Sequence, residues 1–86
     1  MKRIVTASEP IEIVEIRVLA ITAAFAQRPR WFRVDDWIVL ESPRGLISAE
    51  TMHYVSQHAD VVNAEAVFRS TPHPGVYLRF RLRARS

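Results

Sequence analysis

The stretch Trp31-Phe32-Arg33-Val34-Asp35-Asp36-Trp37-Ile38-Val39-Leu40-Glu41 decides how this chain folds, because it admits two readings. Trp31 to Val34 reads as a short extended segment. After it, Asp35 and Asp36 can open a short helix as two acids at its positive end, or Trp37 to Leu40 can form a buried strand. Either way Trp37 and Leu40 are core residues, and Ser42-Pro43-Arg44-Gly45 is a turn. Whether residues 31–47 are a helix and turn or a strand hairpin sets the architecture of the whole chain.

Downstream, Ser48 is a helix cap followed by Glu50 in the first turn, where its charge complements the helix dipole. Met52, Val55, Ala59 and Val62 follow at helical spacing and form the expected buried stripe. Roughly opposite lie Glu50, His53, Tyr54, Gln57 and His58, side chains able to exchange hydrogen bonds with base edges or phosphates. Residues 76–83 then alternate strictly. Val76, Leu78, Phe80 and Leu82 share one face, and Tyr77, Arg79, Arg81 and Arg83 share the other. Pairing this strand with residues 62–68 so that Phe68 meets Val76 also sets Ala66 against Leu78, Ala64 against Phe80 and Val62 against Leu82. One face of the hairpin is then wholly apolar. The same register places Glu65 opposite Arg79, a favourable cross-strand charge pair, and leaves residues 69–75 as the tip.

Upstream, Lys2 to Thr6 can form a short edge strand, and Ser8, Glu9 and Pro10 supply a helix start. Ile11, Val14, Val18, Ile21 and Phe25 then recur every three or four residues, which predicts a helix over about residues 10–27. The β-branched content of residues 11–21 also suits a strand. Length and the Ala23-Ala24 pair favour helix. Ile13, Ile16 and Leu19 fall off the main stripe, so the helix is apolar around most of its circumference. It is therefore either wrapped by the core or paired with a second copy, and the small size of the chain favours the dimer.

The chain has 86 residues, 49% of them hydrophobic and 24% charged, and a net charge of +3, which fits one domain spanning residues 1–86. Without cysteine it has neither a disulfide framework nor a thiolate metal site, and a cytoplasmic location is expected. The acids and proline after Met1-Lys2-Arg3-Ile4-Val5 match neither a signal peptide nor a membrane span. From Arg69 onward there are five arginines and no acid, so the positive charge concentrates in the hairpin and tail, where it suits a polyanion.

A helix, a turn into Leu46-Ile47-Ser48-Ala49-Glu50-Thr51-Met52, and a basic hairpin beyond it resemble a winged helix-turn-helix domain over residues 10–83. The resemblance implies an α+β fold of three helices with a C-terminal β-hairpin. It also implies a non-enzymatic protein that binds double-stranded DNA, a small transcriptional regulator acting as a homodimer through its first helix. By position, Ser48, Glu50, His53, Tyr54 and Gln57 face the groove, and Arg69, Thr71 and His73 lie on the wing. Arg28, Arg30, Arg33 and Arg44 in the loops, with Arg69, are available for phosphate contacts, and Arg79 and Arg81 complete the expected DNA-binding set. Two features depart from the family: the inter-helix turn is long, and residues 48–58 contain no lysine or arginine. The second of these, with the acidic start Asp35-Asp36 of the second helix, supports an alternative, a protein-interaction module such as an adaptor or inhibitor on an α+β scaffold with no nucleic-acid role. Reading residues 31–47 as a strand hairpin leads to that alternative.

No cofactor or metal is expected. His53 and His58 are five apart, a spacing that does not stack them on one helical face. The two glycines are too far apart for a phosphate loop. No nucleophile is marked by its neighbours.

Overall fold

The computed structural model describes residues 9–41, 47–69 and 75–84, the side chains at positions 69, 75 and 76 excepted. Its elements run α1 (Ile11–Ile21), β1 (Arg30–Val34), β2 (Trp37–Glu41), α2 (Ala49–Gln57), β3 (Val61–Arg69) and β4 (Gly75–Leu82). The four strands form one antiparallel sheet in the order β1-β2-β4-β3. The chain therefore repeats one order twice, a helix followed by a hairpin, and the inner strands of the two hairpins join at the centre of the sheet.

This architecture corrects the expectation of three helices with a C-terminal hairpin: the class is α+β, but the described residues hold two helices and a four-stranded sheet. The reason lies in the opening stretch. Val34 pairs directly with Trp37, leaving Asp35-Asp36 as a two-residue hairpin connection, and Asp35 sits at φ 54°, a left-handed conformation that aspartate tolerates in turns. The two acids make a turn, not a helix start. On either side of it, aromatic and β-branched residues fit a pleated surface.

Helix α1 is also shorter than the expected 10–27. Pro10 occupies the N-cap, and its carbonyl accepts from the amides of Ile13 and Val14. At the other end the Thr22 hydroxyl donates to the Val18 carbonyl at 2.9 Å, a local bond that competes with helix continuation. A turn then brings Phe25 back against the core. The expected cap Ser8 and the edge strand at residues 2–6 lie outside the described residues.

Val14, Val18 and Ile21 of α1, with Val55 of α2, pack on the sheet face made by Ile38, Leu40, Val61, Leu78, Phe80 and Leu82. Ile11, expected in the buried stripe, is exposed, and Arg17 takes a buried position instead. In the β3–β4 hairpin the expected register holds from Phe68↔Val76 to Glu65↔Arg79. Beyond it a bulge at Asn63 and Ala64 adds a residue to β3, with Asn63 at φ 58°. Val61, not Val62, therefore faces Leu82, and the expected Ala64–Phe80 and Val62–Leu82 pairs do not form.

Candidate functional site

The helices cover one face of the sheet, and strand alternation sends Trp37, Val39, Tyr77, Arg79 and Arg81 to the other. On that second face the residues form rows across the strands. Phe32 pairs with Val39, Val39 with Arg79, and Arg79 with Glu65. The Arg79 Nε donates to Glu65 Oε1 at 2.6 Å, and Arg81 Nε lies 2.9 Å from Asp36 Oδ2. Both guanidinium groups also lie over the Trp37 ring, 4.1 Å (Arg79) and 3.9 Å (Arg81) from its centroid. Each arginine thus has a carboxylate and a shared aromatic partner within the chain.

The remaining basic side chains follow the same pattern. Arg17 binds Glu9, Arg30 reaches Glu41 at 4.0 Å, Arg33 donates to the Glu9 carbonyl, and Arg83 Nε donates to the Ala59 carbonyl. Among the described arginine side chains only Arg28 has no hydrogen-bond or ion-pair partner.

Arg17 is the least expected of these. It is 1% exposed, donates to both Glu9 oxygens at 2.9 and 3.1 Å, approaches Asp60 at 3.6 Å, and donates to the Arg83 carbonyl. Its Nε has no hydrogen-bond partner among the described residues. This cluster ties α1 to the start of β3 and the end of β4. Its position could have been found in the sequence, because residue 17 shares the three- and four-residue spacing of Val14, Val18 and Ile21.

The site residues expected from the sequence fall into two groups on opposite sides of the sheet. Ser48 is the N-cap of α2, accepting from the Thr51 amide at 3.1 Å and donating to the Thr51 hydroxyl. Glu50, His53, Tyr54 and Gln57 lie on the outer side of α2 and, with His58, line a shallow concavity of about 400 Å³. His58 Nδ1 accepts from the Asp60 amide at 3.1 Å. Arg79 and Arg81 point away from this layer, through the far face of the sheet, so a single contact surface does not hold both groups. Arg44, Thr71 and His73 lie outside the described residues, and Arg69 is placed by its backbone at the end of β3.

Among the described residues two further surfaces are exposed and apolar. The outer side of α1 exposes Ile11, Ile13, Ile16 and Leu19, with Ile16 at 63%. At the edge of the sheet Phe68 of β3 is 72% exposed, more than any other large apolar side chain described. No group of three or more metal-ligating side chains occurs among the described residues, and none of their helices is long and apolar enough to cross a membrane. Comparison with protein-family models, curated proteins and solved structures finds no match to this chain.

Proposed function

We propose that the chain is a non-enzymatic protein-interaction module that docks a partner protein on the outer face of α1. The observation that carries this reading is the face itself. Val14, Arg17, Val18 and Ile21 fasten the helix to the domain, while its other side presents four large apolar side chains to solvent. A solvent-exposed helix face this rich in large apolar side chains marks a binding site.

The charges around the face indicate what fits it. Glu12 and Glu15 lie among its apolar side chains on the exposed side of the helix, and the sole cation of α1, Arg17, is buried and paired. A second copy laid along α1 would set carboxylates against carboxylates. A partner surface on which lysine or arginine alternates with apolar side chains complements both features. The paired state of Arg79 and Arg81 also favours this reading over a polyanion-binding one, because a phosphate would have to displace Glu65, Asp36 and the Trp37 ring.

The test places a photo-crosslinking side chain at position 16 of the full chain in its own cells and purifies the captured protein. That protein is expected to bind the unmodified chain and to lose binding to Ile13→Lys, with affinity falling as salt rises. In parallel, a labelled random DNA duplex is titrated at low and raised salt, with no binding expected. Salt-sensitive duplex binding that survives Ile13→Lys overturns the reading in favour of a DNA-binding regulator.

A further inference from the structure

The two edges of the sheet differ in how they are guarded. β1 is five residues long, follows Pro29 and carries Arg30 and Arg33, three features that discourage another strand from adding to it. β3 is nine residues long and contains neither proline nor lysine. Its bulge at Asn63 breaks the edge near one end and leaves Glu65-Ala66-Val67-Phe68-Arg69 as a regular run, with the exposed Phe68 within it.

That run is complementary to itself. In an antiparallel pairing of two copies centred on Val67, Glu65 of one copy stands opposite Arg69 of the other, and Ala66 opposite Phe68. The two-fold axis then generates each contact twice. Glu65 lies on the open face of the sheet, opposite to the helix side where Ala66 and Phe68 lie. A shift of the centre by one residue in either direction loses the Glu65–Arg69 match.

We propose that two copies of this chain associate edge to edge through β3 in this register, doubling the four-stranded sheet. The contact uses backbone groups of the strand that pair with no described strand, the opposite charges of Glu65 and Arg69 set against each other by the register, and the exposed Phe68 rings. It leaves α1 of each copy open, and so stands independently of the docking role proposed for that helix. Its size is at the low end for protein interfaces, and the expected dissociation constant is roughly micromolar or weaker.

The chain has no cysteine, so an introduced thiol reports its own surroundings. At the two-fold axis the Val67 Cα atoms of the two copies stand about 5 Å apart, within the span of a disulfide. Under mild oxidation V67C is expected to form a covalent dimer roughly tenfold or more faster than F32C, whose thiol sits on the β1–β2 hairpin, because association raises its effective concentration. Sedimentation of the unmodified chain should show a dimer whose population grows with concentration. Ala66→Lys should shift it to monomer while far-UV circular dichroism stays unchanged, and Ile16→Lys should not. Monomer up to about 1 mM, where even weak interfaces are half occupied, overturns the proposal. A dimer in which V67C gains nothing over F32C, or one abolished by Ile16→Lys and not by Ala66→Lys, also overturns it. The last result means that α1 pairs with itself and overturns the proposed docking role too, whereas the first two leave that role standing.

Discussion

Arg17 donates to Glu9 across 2.9 Å from a side chain with no exposed surface, so a full positive charge sits inside the layer between α1 and the sheet. Its stabilisation depends on the acceptors that surround it. Removing Glu9 leaves that charge under-compensated, because Asp60 is 3.6 Å away. Glu9→Ala should cost about 3 kcal/mol, near the lower end for breaking a buried pair. Arg17→Met, which removes the charge and keeps much of the volume, should cost less. Urea denaturation of the two variants gives the comparison. An order of stability with Arg17→Met below Glu9→Ala would show that the cluster is a net stabiliser, contrary to this account.

Trp37 holds two guanidinium groups that would otherwise present positive charge on the open face. Trp37→Leu should destabilise the domain by about 1–2 kcal/mol through two weak cation–π contacts and lost apolar area. The same variant should elute from heparin at higher salt than the unmodified chain, since Arg79 and Arg81 lose a competing partner. Glu65→Gln combined with Asp36→Asn should shift elution in the same direction. Unchanged elution in both variants would mean that these arginines are already available to polyanions.

Two non-glycine residues occupy left-handed backbone conformations, Asp35 at φ 54° and Asn63 at φ 58°. Aspartate and asparagine tolerate this region, and β-branched residues do not. Asn63→Val should therefore cost about 1–2 kcal/mol, and Asn63→Gly should be neutral or mildly stabilising. Thermal unfolding of the pair separates the backbone effect from loss of the amide side chain.

Ser48 caps α2 through the Thr51 amide. Ser48→Ala should lower stability by about 1 kcal/mol, and Ser48→Asp should recover it, because a carboxylate accepts the same hydrogen bond and also suits the dipole. Chemical denaturation midpoints test both. The expectation that Ser48 contacts a ligand predicts a binding defect instead, with stability unchanged.

The parts of the fold legible in the sequence are those fixed by local chemistry. The Ser48 cap, the alternation of β4 and the Glu65–Arg79 pairing follow from spacing and charge alone. The first hairpin is ambiguous in the sequence because Asp35-Asp36 serves equally well before a helix or inside a tight turn, and the pairing that decides, Ile38–Leu40 against Leu78–Phe80, is remote in sequence. The apolar rhythm runs on past the end of α1 to Phe25, while the Thr22 hydroxyl competes with the helix, so the periodicity extends beyond the helix itself. The Asn63 bulge carries only a weak signal, one asparagine in an apolar run. For the candidate site, the α2 face formed a group in the sequence and again in space. That Arg79 and Arg81 lie behind the sheet depends on which face the helices cover, and the sequence of the hairpin does not contain that information.

The repeated helix-then-hairpin order also bears on how the chain reaches this state. Each hairpin closes between neighbouring segments, and β1–β2 needs only a two-residue connection, so either can form early at small entropic cost. The β2–β4 seam is different: it joins Ile38 to Phe80 and must gather distant parts of the chain before any contact rewards it. The rate of folding is therefore governed at this seam. Trimming Leu40 or Leu78 should slow folding, whereas changes at the Asp35 turn should act mostly on how fast the native state comes apart.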